Sequence, residues 1–133
     1  MTDIAKCYAG KILRVDLSTK ESREEPLSEE MVAAFVGGRG MAAKMLYDEV
    51  AAGTDPLSPE NKMFFSIGPL AGTPAQSCCR WMITTKSPLT GTYFRSVAGG
   101  GLGLELKKAG YDVLVLEGKA ETPSYLWIDD GKV

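Results

Sequence analysis

The chain has 133 residues, with 15 Lys and Arg against 17 Asp and Glu, no histidine, and a formal charge of −2 at neutral pH. One domain or slightly less fits in that length, and the acidic balance argues against a nucleic-acid surface, which needs a basic stripe. The lack of histidine excludes serine–histidine catalysis and histidine-ligated zinc within the chain.

Residues 10–17, GKILRVDL, set Leu13, Val15 and Leu17 against Lys11, Arg14 and Asp16, the alternation of a strand with one wet face. Ser18 to Glu21 is turn-like, and 22–26 returns as an edge strand. Ser28 is placed to cap a helix over 29–36, with Glu29 and Glu30 where the helix dipole favours them. Gly37-Gly38 stops that helix, and a second runs from Met41 to Val50. A Gly- and Pro-bearing loop from Ala52 to Asn61 precedes a continuous apolar strand at 63–67, MFFSI. After a loop over 68–75, strands are expected at 81–85 and 92–97, a short helix at 101–109 capped by Gly110, a buried strand at 113–116 and a last strand at 125–128. Asp130-Gly131 is a hairpin signal with almost nothing after it, which suggests that the chain stops inside a larger fold. The count of about seven strands and three helices is α+β.

Three regions carry chemistry. Arg80 precedes a strand and offers a planar donor fork suited to a phosphate or a heterocycle carbonyl; the alternative is a surface arginine at a strand end. Gly99, Gly100, Gly101 and Gly103 stand at a strand-to-helix junction, where bare amides suit an anion; close packing of helix on strand is the competing reason. The dinucleotide pattern G-x-G-x-x-G fails because position 104 is Leu104. Glu117, at the end of the next strand, keeps a nucleotide-phosphate reading open. Arg39, between Gly38 and Gly40, is either an ion-pairing residue at a helix break or a ligand-facing one. Cys78 and Cys79 are adjacent and cannot form a C-x-x-C clip; they read as small buried thiols, the alternative being a metal-ligating or reactive pair facing a cleft. No catalytic residue and no metal ligand is assigned. No apolar run approaches the ~20 residues of a membrane span and no segment resembles a signal peptide, so a cytoplasmic protein without membrane or nucleic-acid partners is expected.

The blocks GKILRVDLS at 10–18, FVGGRGMAAKMLYDE at 35–49, DPLSPENK at 55–62, GPLAGT at 68–73, TKSPLTG at 85–91 and AGGGLGLELKKAGYDVLVLEGKAE at 98–121 together resemble the N-terminal domain of the aldehyde ferredoxin oxidoreductase family, the tungsten or molybdenum pterin enzymes. The resemblance covers nearly the whole chain. It implies one unit of a duplicated α+β domain, 1–133 being an incomplete part of it, with mixed, mainly antiparallel sheets. It implies oxidation of aldehydes to carboxylates with electrons passed to ferredoxin. The cofactors implied are a tungstopterin or molybdopterin held as a bis-pterin, for which this chain would be a partial site, and a 4Fe-4S cluster only in the complete enzyme. Arg80 matches the arginine that bridges pterin and cluster, and Gly99 a glycine whose backbone contacts the pterin. Gly100, Gly101 and Arg39 extend the expected cofactor-binding set. Val97 stands where the family often has an asparagine that helps hold the ion bridging the two phosphates, and a valine cannot ligate. Cys78 and Cys79 replace small residues, often glycines. The cluster-binding cysteines belong to later family domains. The expected partners are therefore the remaining enzyme domains or a second copy, with ferredoxin for the complete enzyme. A stand-alone module that homodimerises, mimicking the second unit, is the alternative.

Overall fold

A computed structural model describes residues 7–129 and 131–133. Six strands and three helices follow in the order β1 (Lys11–Asp16), β2 (Glu21–Pro26), α1 (Glu29–Phe35), α2 (Arg39–Glu49), β3 (Met63–Ile67), β4 (Trp81–Lys86), β5 (Tyr93–Ala98), α3 (Leu102–Lys108) and β6 (Val113–Glu117). The strands make one sheet in the order β2-β1-β6-β3-β4-β5. β1 and β6 run parallel, and every other neighbouring pair is antiparallel. The class is α+β with a mixed, mainly antiparallel sheet, as expected.

β6, VLVLE, is apolar on both faces because it lies at the centre of the sheet and is covered on both. On one face Ile12, Phe64, Val113 and Val115 pack against Ala42, Met45 and Leu46 of α2. On the other, Leu13, Val15, Ile67 and Leu114 pack with Leu106 of α3 and with Tyr111. The result is a three-layer stack of α1 and α2, sheet, and α3. Ser28 caps α1 by accepting a hydrogen bond from the Met31 amide at 3.1 Å. α2 begins at Arg39, two residues before the sequence pattern indicates, because Gly38 rather than a polar side chain stands at its cap.

The expected strand at 125–128 is not formed. Its alternation is real: Leu126 and Ile128 pack against the α3-side core while Tyr125 and Trp127 are exposed. The segment buries its apolar side on a face of the sheet instead of joining an edge, and only an isolated bridge links Asp129 to Lys132. Of the hairpin signal there, Asp130 lies outside the described residues.

Charged side chains tie the C-terminal end of α2 to the sheet. Arg14, on the β1 face beneath α2, is 7% exposed. It donates to both carboxylate oxygens of Glu49 at 2.7 Å and to Glu25 at 2.6 Å. Lys62 bridges Glu49 and Glu117 at 2.9 and 3.2 Å, and Arg23 reaches Glu117 at 2.7 Å. Three cations and three carboxylates thus neutralise one another where β1, β2, β6 and the end of α2 meet.

Candidate functional site

Antiparallel register builds the site. β4 pairs with β5 so that Met82 opposes Val97 and Thr84 opposes Arg95. Opposed residues share a face, so Met82, Val97 and Arg95 all look toward the α2 side. Arg80, two residues before Met82, falls on that face as well. There the break between α1 and α2 comes down onto the end of β3 and onto β4. A Cβ on Gly38 would meet Met82 Cε at 2.6 Å, one on Gly40 would meet the Phe35 carbonyl oxygen at 2.6 Å, and one on Gly37 would meet Pro69 Cδ at 3.0 Å. Gly40 is there because a backbone atom leaves no room for a side chain, and Gly37 is tight against Pro69. At Gly38 the Met82 methyl can swing aside, and the positive φ of 51° is what requires glycine.

The close approach leaves an open groove of about 530 Å³ lined by Phe35, Gly37, Arg39, Gly40, Arg80, Met82, Arg95 and Val97. Three guanidiniums enter it from three elements: Arg39 from the first position of α2, Arg80 from the loop before β4, and Arg95 from β5. All three are exposed. Among the described residues none has a carboxylate within ion-pair distance, whereas Arg14 and Arg23, the two remaining arginines of the chain, are both held by glutamates. The first turn of α2 holds no acidic residue and its cap makes no side-chain hydrogen bond, so the positive end of that helix adds to the field. Chemically the groove can take an anion with bidentate acceptors; among the described residues its side chains contain no general base and no nucleophile.

The structure therefore brings Arg39 and Arg80 together and adds Arg95. Gly99, Gly100 and Gly101 are not among the lining residues. They continue from the end of β5, one step past the last couple of the pairing, Trp81 with Ala98. The Trp81 indole N–H donates to the Gly99 carbonyl at 3.0 Å, and the ring stacks on Phe65 with centroids 6.1 Å apart. A Cβ on any of the three glycines would meet nothing within 4 Å, although Gly100 needs its φ of 91°. Gly103 is different. Its Cβ would stand 3.3 Å from the Cys79 carbonyl oxygen and 3.4 Å from Ile67 and Trp81. Close packing of helix on strand thus explains Gly103 alone, and it seats α3 on the face opposite the groove. The backbone from Gly99 to Gly101 stays bare.

Two expectations change. Cys79 is exposed and Cys78 half-buried, with its thiol 3.6 Å from the Thr73 carbonyl oxygen, so they are not core thiols. Glu117 is spent on Arg23, Lys62 and Arg14, which removes the acid that kept a nucleotide reading open. Sequence reasoning missed Arg95. Nothing in its local pattern marks it, and only the β4–β5 register puts it beside Arg80. Among the described residues no group of three or more His, Cys, Asp or Glu is arranged to hold a metal ion. No described helix is long and apolar enough to cross a membrane.

Residues 12–133 match the family described as aldehyde ferredoxin oxidoreductase, N-terminal domain. The chain is 47% identical over 126 residues to a tungsten-containing aldehyde ferredoxin oxidoreductase of Pyrococcus horikoshii, which covers 95% of the chain and 21% of that relative. It is 40% identical over 129 residues to the WOR-like subunit of an aliphatic sulfonate oxidoreductase of Pyrococcus furiosus, covering 95% of the chain and 20% of that protein. Among solved structures, the active site complex BamBC of benzoyl coenzyme A reductase, in complex with 1,5-dienoyl-CoA, superposes with a TM-score of 0.92 at 37% identity, covering 95% of the chain and 19% of the matched one. The chain spans about a fifth of the length of each of these relatives.

Proposed function

The chain belongs to the aldehyde ferredoxin oxidoreductase family, as its N-terminal domain, and on that premise we propose that it supplies one anion-binding, pterin-facing surface of a tungsten–pterin oxidoreductase and does not turn over alone. The complete enzyme would oxidise an aldehyde to a carboxylate and pass the electrons to ferredoxin. The observation that carries this reading is the groove with three arginines and no counter-charge from the described residues. A cluster of unneutralised guanidiniums is stabilised by an anion, and a phosphorylated heterocycle offers both phosphate oxygens for the forks and an edge for hydrogen bonds.

The residues present fit such a group. Arg39 and Arg80 would hold its charged end, and the bare backbone of Gly99 to Gly101 lets a flat ring approach without meeting a side chain. When bound, the tungsten held by pterin dithiolenes supplies the redox step. The chain's own residues bind and orient: each guanidinium hydrogen bond to a phosphate contributes roughly 1.5–3 kcal/mol. The names of the relatives support the assignment from another side. Proteins named for aldehydes, for aliphatic sulfonates and for benzoyl coenzyme A share this domain, so what it contributes is common to them rather than specific to one substrate.

Retention provides the test. The chain, produced in a host supplied with tungstate, is dialysed and assayed for metal and pterin. A partial site retains far less than one equivalent, and stoichiometric cofactor after dialysis would refute the partial-site reading. A second reading, a module that pairs with a copy of itself, is favoured by one observation. β5 is an edge strand, and every residue of it except the half-buried Ala98 is exposed, with Tyr93, Phe94 and Val97 bare. An uncovered edge recruits another strand, which further polypeptide or a second copy would supply. Light scattering at high micromolar concentration separates the two, since a strict monomer excludes the homodimer.

A further inference from the structure

We infer that Arg95 completes an anion site in the α2-side groove that neutralises a phosphate or pyrophosphate group by guanidinium contacts alone, without a divalent cation. The identity of the whole ligand rests on the reading above; the charge chemistry rests on the groove itself.

Magnesium and calcium need oxygen ligands, usually carboxylates. Among the described residues the side chains lining the groove offer none, because Arg39, Arg80 and Arg95 are the polar ones there and all are cations. A metal entering beside them would meet three positive charges and no side-chain oxygen. A phosphate entering the same space meets donors on several sides. Arg95 stands two residues from Val97 on one face of β5, roughly 7 Å along the strand. That is within reach of a guanidinium on its flexible stem, so the fork of Arg95 can cover the apolar surface that Val97 leaves. Arg80 approaches from the neighbouring strand and Arg39 from the start of α2. Planar forks from separate elements fit the tetrahedral oxygens of phosphate bidentately, as a single lysine would not. The distribution of arginine in this acidic chain points the same way, since two of five are consumed by an internal ion cluster and the other three are gathered here.

The experiment titrates the full chain at low ionic strength with inorganic pyrophosphate and, separately, with a pterin carrying a phosphate monoester. The arginine Nε–Hε resonances are followed by NMR, once in EDTA and once in excess magnesium. Arg95→Ala and Arg95→Lys are compared with the surface variant Lys119→Ala, with thermal melts confirming that each is folded. Pyrophosphate is expected to bind in EDTA and to shift the signals of all three groove arginines. Magnesium should weaken binding by competing for the anion. Arg95→Ala should lose roughly tenfold to a hundredfold in affinity, the equivalent of one charge-assisted contact, with Arg95→Lys between and Lys119→Ala unchanged. Tighter binding in magnesium, or an Arg95→Ala variant that binds like the parent, overturns the metal-free site; the pterin-facing reading survives that result if the phosphorylated pterin still binds. A phosphorylated pterin that binds no better than pyrophosphate defeats the pterin reading and leaves the anion site standing. No binding of either probe at millimolar concentration overturns both.

Discussion

Removing the carboxylate of Glu49 would test whether the buried ion cluster anchors the end of α2 to the sheet. Glu49 is the last residue of α2, where its charge opposes the negative end of the helix dipole. It is stable there because it accepts two 2.7 Å hydrogen bonds from Arg14 and one of 2.9 Å from Lys62. In Glu49→Ala, Arg14 stays buried and keeps only Glu25 at 2.6 Å and the more distant Glu117 at 3.8 Å. Breaking a buried pair from one side costs about 3–5 kcal/mol. The remaining glutamates recover part of that, so a loss of about 3 kcal/mol is expected, or roughly 10 °C in melting temperature for a domain of this size. The neighbouring Asp48 is the control. It pairs with Lys44 across one turn in the open, and Asp48→Ala should cost no more than about 0.5 kcal/mol. Urea denaturation of the two variants measures both. If Glu49→Ala costs no more than Asp48→Ala, the cluster does not anchor α2 and the argument is wrong. Acid supplies an independent check. Burial alone would raise the pKa of Glu49 and of Glu25, but Arg14, with Lys62 for Glu49 and Arg23 for Glu25, outweighs it and holds both below the ordinary carboxylate value. A folded-state pKa below the unfolded one means stability that is present above the unfolded value of about 4.5 and is lost as pH falls through the folded values. Glu49→Ala should therefore flatten the acid limb of the stability curve.

Gly40→Ala would push a Cβ to 2.6 Å from the Phe35 carbonyl oxygen, a backbone atom that cannot rotate away, and is expected to cost about 2 kcal/mol or more. Gly99→Ala meets nothing within 4 Å and should leave stability within about 0.5 kcal/mol while weakening the phosphorylated pterin; equal destabilisation of the two in denaturant titrations would show that the glycine run is structural after all. The Tyr111 hydroxyl, in a side chain 1% exposed, donates to Glu24 at 2.7 Å, and burial followed by that carboxylate pushes its pKa up to about 12. Its contribution is full below pH 10 and is lost as pH rises through 12, so ultraviolet titration should show Tyr111 ionising last, although burial and Asp112 raise Tyr8 as well, and Tyr111→Phe should remove that last step.

Much of the fold is legible one element at a time. Alternation in GKILRVDL, the apolar run MFFSI, the cap at Ser28 and the stop at Gly37-Gly38 are local events governed by side-chain period and backbone freedom, and each element forms within two residues of its expected place. The segment at 125–128 shows where local reading stops. Its alternation describes which side chains are buried, and burial against a sheet face produces the same pattern as burial within a sheet. The glycines divide likewise. Ten of them fall within the 65 residues from Gly37 to Gly101, but which ones touch a neighbour and which ones face open space is a matter of packing.

By itself the sequence determined the periodic elements, the acidic charge balance and the family, because each is carried by composition or by residues adjacent along the chain. Only the tertiary structure decided the strand order, with β6 between β1 and β3, and the register that faces Arg95 and Val97 toward α2. Such pairings join residues far apart in sequence, and their free energy comes from apolar area buried jointly by both strands, so no single segment contains the information that selects them.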